Sequence, residues 1–105
     1  MSYRVTLIPE AARSLAALQL KYQRQIAKKL DGLAEDPRPT GCKKLQGSDH
    51  LYRIVSGDFR ILYQIHDDVL TVLVVRVGDR KQVYRRLPEY KELEAKPVLG
   101  PKQNR

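Results

Sequence analysis

The segment between residues 51 and 77 constrains this chain most. It holds three stretches of strand composition separated by tight-turn signals, and connections that short join only antiparallel neighbours. Residues 51–55 make the first stretch, and Ser56-Gly57-Asp58 supplies the turn after it. Residues 59–66 follow, with Ile61, Tyr63 and Ile65 alternating against Arg60, Leu62 and Gln64. Asp67-Asp68 marks the second turn. Residues 69–77 are β-branched and nearly all apolar, the composition of a central strand covered on both faces for most of its length. A meander of this kind must bury at least one face against another layer.

The preceding residues supply that layer. Residues 3–8 alternate and read as a strand, and Pro9 fits the first turn of a helix, where its missing N–H costs nothing. Ala11, Leu15 and Leu18 recur at helical spacing with Ala12 and Ala16 beside them. A second stripe runs Tyr22, Ile26, Leu30 and Leu33, flanked by Ala34, with Arg24, Lys28, Lys29 and Asp31 on its other faces. Proline disfavours helix in the residue before it, so Asp36-Pro37-Arg38-Pro39 ends this pattern. The two helices form a hairpin with a link expected near residues 19–21. The predicted fold class is α+β: an N-terminal strand, an α-helical hairpin, then an antiparallel β-meander. Both helices lie on one face of the sheet because they are consecutive and share one core. The other face stays partly open. Residues 82–85 are expected to add a short final strand, and residues 88–95 a helical turn or two. The reading is a single domain over residues 1–95, with 96–105 a disordered tail.

Twenty Lys and Arg stand against twelve Asp and Glu among 105 residues, a formal charge of +8. A domain this basic attracts polyanions. The charge is concentrated late: residues 76–86 carry Arg76, Arg80, Lys81, Arg85 and Arg86 against one acid, Asp79, with Tyr84 among them. Basic residues interleaved with an aromatic ring favour a stacked base with a clamped backbone. No apolar run approaches the ~20 residues needed to span a bilayer, and no membrane partner is expected. Cys42 is the lone cysteine and cannot form an internal disulfide, so a reducing cytoplasm is the expected compartment. Cys42, His50 and His66 show no zinc-ligand spacing, and no metal or other cofactor is expected. Nothing in the spacing of His50 and His66 brings them together. A histidine-pair mechanism is therefore not expected; His66 reads as a turn residue, and His50 as the one nearer to any bound nucleic acid.

Four segments, taken in order, carry a resemblance: Lys44-Leu45-Gln46-Gly47; Leu51-Tyr52-Arg53-Ile54; Gly57-Asp58-Phe59-Arg60-Ile61-Leu62-Tyr63-Gln64-Ile65; and Val74-Val75-Arg76-Val77-Gly78-Asp79-Arg80-Lys81-Gln82-Val83-Tyr84-Arg85. With the helical hairpin ahead of them, they resemble the RelE branch of the RelE/ParE toxin superfamily over roughly residues 3–86. The resemblance implies a toxin of a type II toxin-antitoxin system with the fold just described. It implies a ribosome-dependent endoribonuclease that cuts mRNA in the decoding site, without a metal ion, and is held inactive by a cognate antitoxin. The implied partners are that antitoxin, the ribosome and mRNA.

Such cleavage uses the neighbouring 2′-hydroxyl as nucleophile. The enzyme helps remove its proton, stabilises charge on the phosphate and protonates the leaving oxygen. An arginine fork suits the phosphate, and a tyrosine can stack on a base and relay a proton. By resemblance, Arg60 is the phosphate clamp, Arg80 stabilises the transition state or protonates the leaving group, and Tyr84 stacks on the base. Arg53 is a basic position after Tyr52, itself read as core. Lys43, Lys44, Lys81 and Arg85 join Arg53 as expected RNA-binding residues. The position of the family's proposed general-base lysine is Val55 or falls in a shortened turn, and Asp79 stands where many relatives carry histidine. The proton acceptor is left among Lys43, Lys44, Lys81 and Tyr84. Two other readings share this pattern: a ParE-like toxin that inhibits DNA gyrase by binding, and a non-catalytic RNA-binding module.

Overall fold

The structure, a computed structural model, describes residues 2–45 and 50–85. Strand β1 is Arg4–Leu7, helix α1 Pro9–Ala16 and helix α2 Leu20–Glu35. Strands β2 (Lys43–Lys44), β3 (Leu51–Ser56), β4 (Phe59–His66) and β5 (Thr71–Asp79) complete the described sheet, with a 3-10 turn at Asp67–Val69. The spatial order is β1-β5-β4-β3-β2. The β3-β4-β5 meander is antiparallel, whereas β1 pairs in parallel with β5, Val5 opposite Val72.

The α+β class, the hairpin and the meander agree with the sequence reading. Pro9 does open α1. Helix α2 ends at Glu35, and Asp36 before Pro37 is extended, with φ −148° and ψ 100°. Three boundaries differ. Helix α2 begins at Leu20, so the link is residues 17–19; its first turn has no side-chain cap and leaves Leu20 57% exposed, so no apolar signal marked it. Val69 belongs to the 3-10 turn, closed by Leu70 in the left-handed region (φ +47°), and β5 starts two residues later than expected. Residues 82–85 are a chain of turns, not a strand. Asp79 accounts for this: its backbone carbonyl accepts from the N–H of Gln82 and Val83, and its carboxylate accepts from the N–H of Lys81 and Gln82, at 2.9 and 2.8 Å. A carboxylate that satisfies successive backbone donors favours a turn over a ladder. The expectations for residues 88–95 and 96–105 lie outside the described residues.

Both helices cover one face. Ala11, Ile26, Leu30 and Leu33 pack on Ile54, Ile61, Tyr63, Ile65, Val72, Val74 and Val77, all buried. Fully burying one such aliphatic side chain contributes about 1.5–3 kcal/mol. The Tyr63 hydroxyl donates to the Pro37 carbonyl at 2.8 Å, and burial pushes its pKa well above the ordinary phenol value. Tyr52 stacks on Tyr63 with ring centroids 5.9 Å apart, which supports its reading as core. A clasp closes the same end of the sheet. The Arg38 fork donates to both Asp67 carboxylate oxygens, at 3.3 and 2.9 Å, and the Tyr3 hydroxyl donates to one of them.

Candidate nucleic-acid interface

Side chains directly opposite one another in a sheet point the same way, so the register sorts the basic residues by face. Ile54, Ile61 and Val77 form one row beneath the helices. The alternate rows face away: Val55, Arg60 and Gly78; then Lys43, Arg53, Leu62 and Arg76; then Leu51, Gln64 and Leu73. A bulge between Leu62 and Tyr63 in the β4-β5 pairing lets Val75 and Arg76 both serve this open face while Val77 returns to the core.

Three expected residues thus share the open face by register. Lys43 lies directly opposite Arg53, and Arg53 is the diagonal neighbour of Arg60, roughly 7–8 Å away. Like charges set opposite each other destabilise a sheet, and a polyanion would relieve that cost. Lys44 does not join them. It pairs with Tyr52, whose ring packs on Tyr63 in the helix-side core, and so falls on the other face.

The β3-β4 turn gathers two more. Gly57 holds φ +61°, a left-handed conformation that glycine adopts without penalty. The Arg60 guanidinium folds back to donate to the Gly57 carbonyl at 3.1 Å and to the Phe59 carbonyl at 3.1 Å. The next carbonyl, that of Asp58, accepts from the backbone N–H of Arg80 at 2.9 Å. Arg60 and Arg80, twenty residues apart in sequence, are therefore joined to neighbouring carbonyls of one turn, Arg60 by its guanidinium and Arg80 by its backbone N–H. Arg80 and Lys81 are both exposed there.

Beyond that turn the chain crosses onto the open face. Val83 is buried at 1% exposure against Leu51, Leu62, Leu73 and Val75, and the Tyr84 ring packs on the same cluster. Arg76 fastens this segment. One of its guanidinium nitrogens donates to the carbonyls of Val83, at 3.0 Å, and Arg85, at 2.6 Å, bracketing Tyr84. Sequence reasoning counted Arg76 only as part of a charge run, because nothing local shows that its partners are carbonyls seven and nine residues on. The Arg85 side chain is exposed beside it.

The two histidines do meet, contrary to the sequence expectation. Their rings stack with centroids 6.2 Å apart and planes 15° apart. Antiparallel pairing of β3 with β4 brings the start of one strand beside the end of the other, which spacing alone does not reveal. His66 is the partly buried member, and desolvation lowers its pKa, with repulsion from His50 adding to the shift. Among the described residues no group of three or more His, Cys, Asp or Glu is placed to hold a metal ion. No described helix is long and apolar enough to cross a membrane.

The matching family model is that of the ParE toxin of type II toxin-antitoxin system, parDE, and it covers residues 5–84. The mRNA interferase toxin RelE of Escherichia coli strain K12 is 32% identical over 88 residues, which span 80% of this chain and 92% of that relative. A mutant of the E. coli RelE toxin in its free state superposes with a TM-score of 0.70 at 27% identity, over 93% of this chain and all of the other. The toxin of the intact E. coli RelBE toxin-antitoxin complex gives 0.66 at 30% identity, over 74% of this chain and 96% of the other. This chain belongs to the RelE/ParE toxin superfamily, in its RelE-like branch, and is a type II toxin of that kind.

Proposed function

We propose that this toxin is an endoribonuclease that cuts mRNA on the ribosome by attack of the 2′-hydroxyl on the adjacent phosphate. The carrying observation is the attachment of Arg60 and Arg80 to neighbouring carbonyls of the β3-β4 turn, at the end of an open face that also bears Arg53 and Lys43. In this reading Arg60 clamps the phosphate and Arg80 neutralises charge that develops in the transition state. A donor aimed at developing charge is worth ~10²–10³ in rate; carbonyls orient the Arg60 guanidinium, and the Arg80 backbone anchors its side chain beside the same turn. Tyr84, held on the apolar patch by the Arg76 bracket, offers a ring for the neighbouring base. Lys43, Arg53, Lys81 and Arg85 bind the RNA backbone; Lys44, on the other face, contributes only at the sheet edge. Val55 presents no proton acceptor, so that role falls to Lys43, Lys81 or Tyr84. The chemistry runs through side-chain groups of the toxin and the 2′-hydroxyl of the RNA, with no cofactor and no step through a metal ion.

Its regulator is a cognate antitoxin laid over the basic face. The support is the likeness to toxins solved in complex with an antitoxin, such as the one from E. coli. A segment that folds on binding covers such a surface with few residues. The toxin acts in the cytoplasm, where ribosomes and message are found.

Purified toxin added to translating ribosomes tests the reading by primer extension. Cuts at fixed positions within codons are expected, and they disappear in Arg80→Ala and Tyr84→Ala. The description of the matching family model favours one alternative, a ParE-like toxin that blocks gyrase. That reading gives intact message and inhibited DNA supercoiling in the same preparations. A non-catalytic RNA-binding module gives neither effect.

A further inference from the structure

Far from the arginine-bearing turn, the open face ends in an arrangement that cleavage chemistry does not use. His66 and Gln64 follow Arg60 and Leu62 at every second position of β4, so all four lie on this face. His66 Nε2 lies 3.0 Å from Gln64 Oε1, which fixes the plane of its ring. Gln64 is 1% exposed, and its Nε2 finds no acceptor among the described residues. Over His66 lies the exposed His50 ring, 6.2 Å between centroids and nearly parallel. A buried amide thus orients one imidazole, and that imidazole backs a second, exposed one. Six residues of strand put His66 ~20 Å from Arg60. This is beyond a single nucleotide and within reach of a strand running along the face past Arg53.

We propose that the stacked His50–His66 pair is a nucleobase platform, a second stacking site for single-stranded RNA at the end of the open face away from Arg60 and Arg80. It rests on the reading of this face as an RNA surface. Stacking on a ring tolerates any base, so the platform lengthens the bound segment and leaves its sequence preference unchanged.

The test measures binding of the intact toxin to 2′-O-methyl oligonucleotides, which have no free 2′-hydroxyl to attack. A trinucleotide and an oligomer long enough to span the face are compared. His50→Ala is expected to weaken the long oligomer about 5- to 30-fold and to leave the trinucleotide unchanged. His50→Phe, which keeps a flat ring, is expected to hold the long oligomer near the parent affinity. The carbon-bound protons of both imidazoles should move upfield in NMR spectra when the long oligomer binds. Equal binding of the long oligomer by the parent and His50→Ala, with Arg53→Ala weakened, overturns the platform and keeps the RNA surface. Absence of binding by either oligomer, with the arginine variants like the parent, overturns both. Ring protons that respond to an acidic antitoxin peptide but not to RNA give the pair to a protein partner and also overturn the proposal.

Discussion

On the helix-covered side of the sheet, Ile54, Ile61, Tyr63, Ile65 and Val72 are buried beneath Ala11, Ile26, Leu30 and Leu33. The opposite side of the same strands carries Arg53, Arg60 and Arg76 around a smaller apolar patch, on which the folded-back segment with Val83 and Tyr84 packs. One face gathers apolar area. The other sets positive charges beside one another, and backbone carbonyls orient two of them, Arg60 and Arg76. That choice matters, because a carbonyl orients a guanidinium while leaving its charge available to a phosphate. On the proposed reading, stability and chemistry fall to different surfaces of the same strands, and substitutions should separate them.

The sharpest separation pairs Ile26→Ala with Arg80→Ala. The first removes a fully buried side chain from the covered face, and a loss of about 2–5 kcal/mol in unfolding free energy is expected. The second should lower the rate of message cleavage about 10²–10³-fold and leave the denaturation midpoint where it was. If Arg80→Ala unfolds the protein, or Ile26→Ala spares it, the division between faces fails. Gly57→Ala should affect both surfaces. Nothing crowds the added methyl, but φ +61° costs an alanine about 1–2 kcal/mol, read in denaturant melts, and cleavage should fall as the turn relaxes. Arg76→Met should lower cleavage by about tenfold and speed amide exchange at residues 83–85. Combined with Tyr84→Ala, it should add little further loss, because Arg76 acts by bracketing Tyr84.

The smallest effect belongs to the Asp67 clasp. Hydrogen bonds from Arg38 and then Tyr3 hold the Asp67 carboxyl down at about 2, from an ordinary 3.8. A depressed carboxyl stabilises the fold fully above its unfolded value and loses that contribution as the pH falls through its folded value. Thermal melts of the parent and Asp67→Asn should therefore differ at pH 5 and converge toward pH 2. The pair is well exposed, so the difference at pH 5 should stay below about 1 kcal/mol. Burial lowers His66, so its contribution is complete above the ordinary histidine value and fades as the pH falls below it.

The covered face was legible because its signals are local and periodic: the stripe Ile26, Leu30, Leu33 and the alternation Ile61, Tyr63, Ile65 mark it residue by residue. The candidates Arg53, Arg60, Arg80 and Tyr84 came from resemblance and await the cleavage assays. What escaped depends on long-range pairing. Strand β2 has two residues, too few for a pattern, yet it decides that Lys43 joins Arg53 and Lys44 does not. The parallel match of β1 with β5 spans more than sixty residues and leaves no turn signal. The contact of His50 with His66, the grip of Arg76 on Val83 and Arg85, and the folding of residues 82–85 into turns all arise where the chain ends one element and passes over another.

The central claim is that Arg60 and Arg80, tied to one turn, act on a single phosphate. A double-mutant cycle measures this directly, with alanine at each position and at both, and with message cleavage on ribosomes as the readout. Coupled action predicts a combined loss well short of the product of the two single losses. Losses that simply multiply, or a cleavage rate indifferent to either arginine, would contradict it.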